Sequence, residues 1–269
     1  MIKLGCSAHD ILGSPLSANL GYIARAGFDS VFFLWDDSFN TAEEMKNAKD
    51  NGLEVECFHA PFVNYNSIWE EGNEGDLATE KVKKCIRVAA EYGVPYVVSH
   101  VVSDVNVPLT SNLGLCRYGK IVIEAEKYGV KLAFENTEYT RHLGLVLSSF
   151  SSPLFCYDTG HEHCFTPGIR HMGMFGDRLG FLHLHDNLGI NKKTYRQSHD
   201  EDLHRIPFEG DIDWTVTMSE IKRSGFGGTL MLECDPGHDL GFYGDITARE
   251  YYKKCFEGAK RLAALYESL

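Results

Sequence analysis

The chain has 269 residues, and this length suits a single (β/α)8 barrel, which takes roughly 250 residues. Hydrophobic residues make up 43% of it and charged residues 24%, which excludes disordered, collagen-like and fibrous proteins. Lys and Arg total 26 against 38 Asp and Glu, and the net charge of -12 disfavours binding to nucleic acid phosphates. We therefore expect one folded domain over residues 1–269, with a partner other than nucleic acid.

The N-terminus and the cysteines indicate the compartment. Met1 is followed by the strand-like run Ile2 to Cys6, without the basic segment, apolar segment and cleavage site of an export signal. No apolar run approaches the roughly 20 residues needed to cross a bilayer. The eight cysteines include no Cys-x-x-Cys pair, as expected for reduced thiols. We expect a cytoplasmic protein without membrane contact, and the sequence leaves its oligomeric state open, a homo-oligomer included.

One unit recurs along the chain: a helical stretch ends, a glycine follows and an apolar strand begins. Glycine adopts the left-handed conformation that ends a helix at little steric cost. Such joins are predicted at Gly27, Gly52, Gly93, Gly129, Gly180 and Gly225. The strands that follow are continuously apolar, as in Val31 to Trp35, which is typical of a parallel sheet covered on both faces.

The predicted strands lie near residues 2–8, 29–35, 54–59, 95–101, 130–135, 153–157, 179–185 and 228–233. Capping boxes are predicted at Thr41-x-x-Glu44 and Thr247-x-x-Glu250, where helices would begin. Eight successive β-then-α units favour a (β/α)8 TIM barrel. The irregular stretch at 187–209, after the seventh strand, is expected to be a lid.

Residues of metal-ligand type end six consecutive predicted strands. They are His59, His100, Glu135, Asp158 with His161, His183 with His185 and Asp186, and Glu233. In a barrel of this kind the active site lies at the carboxyl ends of the strands, so these side chains converge on one mouth. The convergence predicts a metal site.

Four of these residues form the expected ligand set: Glu135, Asp158, His183 and Glu233. One nitrogen and three carboxylates, with no sulfur, suit a divalent ion such as Mn²⁺, Mg²⁺, Co²⁺ or Zn²⁺. His185 shares the strand face of His183 and competes with it for the ligand role. Asp186 is expected to orient a ligating imidazole.

Several motifs at these strand ends resemble the xylose isomerase-like barrel superfamily. They are Phe134-Glu135-Asn136-Thr137, Tyr157-Asp158-Thr159-Gly160-His161, the run Phe181 to Asp186, the run Gly210 to Trp214, and Leu232-Glu233. That superfamily contains sugar and sugar-phosphate isomerases, ketose 3-epimerases, inosose enzymes and type IV apurinic endonucleases. Resemblance to the epimerases implies one ion held by Glu135, Asp158, His183 and Glu233. It also favours His183 over His185 as the ligand.

The same resemblance suggests where substrate binds. His161 is similar to the substrate-contacting histidine that follows the metal aspartate in the epimerases. The further residues expected to bind substrate hydroxyls or phosphate are His59, His100, His185, Lys192 and Arg196. Two interpretations are open for Trp35, Phe62, Trp69 and Phe165, which would either form an apolar wall against a sugar face or belong to ordinary core and loop packing.

Because of the resemblance to the endonucleases, the number of metal ions bound by this chain stays open between one and three. Its members bind three zinc ions through nine ligands, and the chain matches all nine when five further residues are included: His59, His100, His161, Asp202 and His204. A nuclease needs Lys and Arg around its mouth to hold phosphates, whereas the predicted loops are acidic and offer only Lys192, Lys193 and Arg196 as a basic cluster. A small sugar or polyol is therefore the favoured substrate.

For a ketose, the metal would act as a Lewis acid while Glu135 and Glu233 move a proton through a cis-enediolate. Return of the proton to the same carbon gives epimerisation, and return to its neighbour gives isomerisation. The alternatives are a trinuclear zinc apurinic endonuclease, a dehydratase or lyase on the same barrel, and a non-catalytic sugar-binding barrel.

Overall fold

The computed structural model describes residues 2–103, 107–194 and 198–269. Its strands are β1 (Leu4–Ser7), β2 (Ser30–Leu34), β3 (Glu54–His59), β4 (Tyr96–Ser99), β5 (Lys131–Glu135), β6 (Leu154–Asp158), β7 (Leu179–His183) and β8 (Leu230–Leu232). The α-helices of the described chain are α1 (Leu16–Ala26), α2 (Thr41–Asp50), α3 (Asn73–Tyr92), α4 (Asn112–Tyr128), α5 (Thr140–Ser149), α6 (Thr159–Phe165), α7 (His171–Phe175), α8 (Trp214–Arg223), α9 (Leu240–Tyr243) and α10 (Ala248–Ser268). All eight predicted strands are confirmed.

The strands form one parallel sheet in the order β7-β6-β5-β4-β3-β2-β1-β8. The two ends of this sheet meet just beyond β7, where the backbone N–H of Leu184 donates to the carbonyl of Met231 at 2.9 Å. The N–H of Glu233 in turn donates to the carbonyl of Leu184 at 3.1 Å. These bonds close the sheet into the predicted TIM barrel and bring His183 and Glu233 side by side.

Two apolar layers stabilise the barrel. The inner layer fills the space enclosed by the strands with Phe32, Cys57, Val98, Ala133, Cys156, Phe181 and Met231. The outer layer lies between strands and helices, and it includes fully buried side chains such as Leu20 of α1 and Leu262 of α10. Burial on both faces is the reason that the strands are continuously apolar.

The predicted glycine joins are confirmed with one exception. Gly27, Gly93 and Gly129 cap their helices with φ of 114°, 70° and 70°. The prediction at Gly180 was wrong, because this residue lies inside β7, where a Cβ would stand 2.4 Å from Leu154 Cδ1. Gly180 therefore permits close packing against β6 and does not end a helix.

The two predicted capping boxes differ in outcome. At Thr247 the box is present, since Thr247 Oγ1 accepts from the Glu250 N–H at 3.3 Å and Glu250 Oε2 accepts from the Thr247 N–H at 3.1 Å. At Thr41 the prediction was wrong, because α2 has Asn40 at its N-cap. The Thr41 hydroxyl instead accepts a hydrogen bond from Trp35 Nε1 at 3.1 Å.

The cysteines form no disulfides, as the sequence predicts. All eight cysteines are free, and Cys116 alone is exposed. Of the helices in the described ranges, none combines the length and the apolar character required to cross a membrane.

Candidate metal centre

The carboxyl ends of the strands bring the predicted ligands together. His59, Glu135, Asp158 and His183 are the last residues of β3, β5, β6 and β7, and Glu233 directly follows β8. Parallel strands of a barrel end at one mouth, which is why residues so distant in sequence become neighbours.

The central donor group consists of Glu135, Asp158, His183 and Glu233, whose ligand atoms all lie within 4.8 Å of one another. His183 Nδ1 stands 3.0 Å from Glu135 Oε1 and 3.1 Å from Glu233 Oε2. The His183 ring stacks on Phe32 with 4.9 Å between ring centroids, so the group rests on the apolar filling of the barrel.

A cavity of about 210 Å³ opens above the central group. Glu135 and Glu233 line this cavity, whereas Asp158 and His183 are fully buried and do not. Two carboxylates of the group can therefore reach a molecule in the cavity, and the other two donors lie behind them.

A first flanking group contains His59, His100 and Glu135. His59 Nε2 lies 3.2 Å from Glu135 Oε2, and His100 Nε2 lies 3.3 Å from the same oxygen. Because Glu135 Oε1 faces His183, this carboxylate is shared between the central and the first flanking group.

A second flanking group contains His161, His185, Asp202 and His204. Asp202 Oδ2 lies 3.2 Å from His161 Nε2 and 3.1 Å from His204 Nε2. His204 has a φ of 43°, in the left-handed region, where a non-glycine residue has a higher free energy. Backbone strain of this kind is concentrated at functional sites. The structure thus places all nine candidate ligands around one mouth.

The charges of the site are balanced between carboxylates and imidazoles. Burial would raise the pKa of Glu135, but His183 and His100 hold it well below its usual range. Burial would lower the pKa of His204, but Asp202 raises it to about 10. A divalent ion on these oxygen and nitrogen donors would supply positive charge in place of imidazole protons. The donor set fits such an ion.

Some of the residues predicted to bind substrate line the cavity, and others do not. His59, His100 and His161 line the cavity. Lys192 does not, since its side chain is 75% exposed, pairs with Asp211 at 3.4 Å and lines a different surface hollow. Lys192 therefore lies apart from the cavity, and its contact with substrate stays a prediction. Arg196 lies outside the described residues.

His185 and Asp186 also differ from expectation. His185 is fully buried and is absent from the cavity wall, so its predicted contact with substrate does not fit the geometry. Asp186 was expected to orient an imidazole. Its carboxylate instead accepts from the N–H of Phe208 at 2.9 Å and from Trp214 Nε1 at 2.8 Å, which anchors the chain that leads to α8.

The expected lid is partly held to the barrel. Arg205 and Asp186 form a two-way backbone pair at 2.8 Å in each direction, and the segment between them carries Asp202 and His204 into the site. Among the expected aromatic walls, Phe62 and Phe165 line the cavity. Trp35 and Trp69 belong to the core.

Several cavity residues were missed by the sequence argument. His9 lies two residues after β1, and Asp235 follows β8, with His9 Nε2 and Asp235 Oδ2 3.2 Å apart. His199 and His238 line the cavity as well. For His9 and Asp235, the available signal was their position just beyond the ends of β1 and β8.

Comparison with known sequences gives two matches. A family model described as a xylose isomerase-like TIM barrel matches residues 20–253. The uncharacterized protein y4fM of Sinorhizobium fredii (strain NBRC 101917 / NGR234) is 27% identical over 205 residues, which make up 70% of this chain and 61% of that relative. The match thus spans less than two thirds of the relative's length.

Solved structures share the fold. A D-tagatose 3-epimerase-like protein superposes with a TM-score of 0.73 at 19% identity, covering 99% of both chains. D-allulose 3-epimerase from Methylomonas sp. superposes with a TM-score of 0.72 at 14% identity, covering 97% of this chain and 98% of the other. A fusion of a xylose isomerase-like TIM barrel with 4-hydroxyphenylpyruvate dioxygenase gives a TM-score of 0.78 at 15% identity, covering 98% of this chain and 43% of the fusion.

Proposed function

The chain belongs to the xylose isomerase-like TIM barrel family, and from this premise we propose that it is a divalent-metal-dependent isomerase or epimerase of small sugars or polyols. One observation carries the proposal. Of the four donors in the central group, Glu135 and Glu233 alone line the cavity, and Asp158 and His183 lie behind them. An enzyme that moves protons beside a cation needs this division between reacting and supporting donors.

The four side chains would hold a single Mn²⁺, Mg²⁺, Co²⁺ or Zn²⁺ ion. When bound, a divalent ion supplies Lewis acidity that favours negative charge on a neighbouring carbonyl oxygen. Glu135 and Glu233 come from β5 and β8, which two strands separate around the barrel. They therefore approach a molecule in the cavity from different sides.

One of these carboxylates would accept the proton from the carbon next to the carbonyl. The electron pair of the broken C–H bond then forms the double bond of a cis-enediolate. The other residue, which enters the step as the carboxylic acid, would deliver its proton to the opposite face of the same carbon, which inverts that carbon. Delivery to the neighbouring carbon, with transfer of the hydroxyl proton between the two oxygens, would move the carbonyl. Either outcome uses the same two residues.

An uncharged substrate agrees best with the cavity. Among the described residues that line it, none is a lysine or arginine, and three carboxylates besides the proposed pair are present: Glu138, Asp202 and Asp235. Such a wall disfavours phosphate or carboxylate groups on the substrate. Hydroxyl groups would bind to His59, His100 and His161, which face the cavity.

The two flanking donor groups favour a second candidate, an endonuclease with three zinc ions. All nine candidate ligands lie at the mouth. The described residues that line the cavity include no lysine or arginine, which argues against this candidate, because a nuclease must hold phosphates. Three zinc ions per chain together with cleavage of abasic DNA would establish it. A dehydratase or lyase would use the same carboxylates, and its products would identify it.

The proposed function is tested by exchange of substrate hydrogen with deuterated solvent. The purified protein is analysed for bound metals and then incubated with ketoses and inososes in the presence of Mn²⁺. We expect Glu135→Gln and Glu233→Gln to lower the exchange rate by about 10²- to 10⁴-fold, because each removes a proton-transfer group. Glu54→Gln, on an exposed residue at the opposite end of β3, serves as the matched control. Wild-type exchange in both active-site variants, with metal still bound, would contradict the mechanism.

A further inference from the structure

His185 belongs to the second flanking group and also contacts Asp158 of the central group. Its Nε2 lies 3.1 Å from both carboxylate oxygens of Asp158 and 3.9 Å from Asp202 Oδ1. Its ring stacks on His204 with 3.9 Å between centroids and 4° between planes. The side chain is fully buried, so it contacts neighbouring side chains and not the contents of the cavity.

The backbone of His185 is held as firmly as its ring. The Thr159 hydroxyl accepts from the His185 N–H at 3.1 Å and donates to the His185 carbonyl at 2.8 Å. The ring rests directly on α6, where a Cβ on Gly160 would stand 1.9 Å from His185 Cε1. The glycine is therefore required for the imidazole to reach Asp158.

The hydrogen bonds of Asp158 show what His185 does for it. Asp158 Oδ1 accepts from the His161 N–H at 2.6 Å as well as from His185, whereas Oδ2 has His185 as its one described partner. Oδ2 thus keeps a lone pair for a cation. Without His185 the carboxylate could rotate about its own axis and lose that orientation.

We propose that His185 is a positioning residue, which donates from Nε2 to Asp158 and fixes this carboxylate for the metal while making no contact with substrate. Gly160 supports the arrangement by leaving room for the ring. The inference rests on the proposed function, because it assumes that Asp158 holds an ion. Residues behind a ligand of this kind typically change metal affinity by 10- to 100-fold.

The test is Mn²⁺ binding to metal-free protein, measured by titration calorimetry, together with the kinetics of the exchange reaction at saturating Mn²⁺. We expect His185→Leu to raise the Kd for Mn²⁺ by about 10- to 100-fold, with KM for the sugar changed less than twofold. His185→Gln, which keeps an N–H donor, should recover part of the affinity.

A second variant leaves the imidazole intact. Gly160→Ala should displace the ring and weaken Mn²⁺ binding in the same direction as His185→Leu. Gly173→Ala is the matched control, since it also lies in a helix but has nothing within 4 Å of the added Cβ. Circular dichroism and thermal unfolding verify that each variant is folded.

Three results would overturn the proposal. The first is an unchanged Kd in His185→Leu. The second is a tenfold rise in KM at an unchanged Kd, which would make His185 a substrate contact. The third is the loss of one bound ion at unchanged affinity of the rest, which would make His185 a ligand in the second flanking group. A wild-type protein that binds no Mn²⁺ or other divalent ion would instead reject the proposed function itself.

Discussion

Glu135 shows how one side chain can organise a whole site. Its Oε1 lies 3.0 Å from His183 Nδ1, and its Oε2 lies 3.2 Å from His59 Nε2. The carboxylate therefore joins donors from three strands. It also reaches the cavity, so the residue that holds the site together is one that would contact the substrate.

Phe62 is the residue whose removal should affect substrate binding without disturbing the four donors of the central group. Its side chain is 42% exposed at the mouth and stacks on His100 with 5.0 Å between centroids and 18° between planes. We expect Phe62→Ala to raise KM by about 2- to 12-fold, because an aromatic contact contributes about 0.5–1.5 kcal/mol. The measurement is steady-state kinetics with whichever sugar shows exchange.

Lys192→Ala is the comparison for Phe62→Ala. Lys192 lines a hollow apart from the cavity. We therefore expect KM and kcat of the Lys192→Ala variant to stay within twofold of the wild-type values. A larger effect of Lys192→Ala than of Phe62→Ala would restore the original interpretation of the basic cluster and would mean that the substrate carries a phosphate.

At the scale of elements, few residues have several structural roles at the junction of β6 and α6. Asp158 ends the strand, caps the helix by accepting from the His161 N–H at 2.6 Å, and belongs to the central donor group. Because one residue ends the strand, caps the helix and contributes to the donor group, the start of α6 is aligned with the site. This alignment sets the positions of Gly160 and His161 in the first turn of α6.

The far side of α6 is anchored by a buried carboxylate, Glu162. It accepts from the N–H of His171 at 2.6 Å and from the Tyr157 hydroxyl at 2.8 Å, and it pairs with Arg170 at 2.9 Å. Burial would raise the pKa of Glu162, but the bonds from His171 and Tyr157 lower it below its usual range. This carboxylate therefore ties α7 to α6.

The lowered pKa of Glu162 predicts a pH-dependent contribution to stability. A depressed pKa stabilises the fold above the unfolded-state value of about 4.3, and this contribution is lost as the pH falls through the folded-state pKa. We expect Glu162→Gln to lower the free energy of unfolding by about 1–3 kcal/mol at pH 7 and by less below pH 4. Urea unfolding at both pH values measures the difference.

Glu80→Gln is the control for this prediction. Glu80 is exposed on α3 and pairs with Lys83, so its loss should cost less than about 1 kcal/mol at either pH. A Glu162→Gln variant as stable as Glu80→Gln at pH 7 would show that the buried network does not stabilise the fold.

At the scale of the whole molecule, barrel closure sets the charge distribution. The chain carries a net charge of -12, and closure gathers several buried carboxylates around one mouth. Their mutual repulsion is reduced by the histidines between them. A bound cation would reduce it further, so metal binding and stability are expected to be coupled.

We expect added Mn²⁺ to stabilise metal-free protein by about 2.7 kcal/mol at a concentration of 100 times its Kd, because the ion binds the folded state alone. A rise in Tm of roughly 5–11 °C should follow for a chain of this size. Differential scanning calorimetry with and without EDTA measures the shift. Asp158→Asn should show a smaller shift, and a wild-type Tm that does not respond to Mn²⁺ would contradict the coupling.

Much of this architecture could be predicted from the chain itself. Continuously apolar strands alternate with helical stretches, and this alternation admits few folds other than a parallel barrel. In such a barrel the strand ends converge, so Glu135, Asp158, His183 and Glu233 could be placed at one mouth before any coordinate was known. The fold and the convergence of these four side chains at one mouth thus follow from the sequence.

The tertiary structure decided where each side chain points and what it meets. His183 and His185 share a strand face, yet His183 contacts Glu135 and Glu233 whereas His185 contacts Asp158. The His185 ring can reach Asp158 because Gly160 leaves room for it. The Lys192 side chain pairs with Asp211 outside the cavity. The Thr41 hydroxyl accepts a hydrogen bond from Trp35 and does not cap its own helix. Gly160 and Asp211 lie in other segments of the chain from His185 and Lys192, so these two contacts form only when the chain has folded. Trp35 reaches Thr41 over the six residues between the end of β2 and the start of α2.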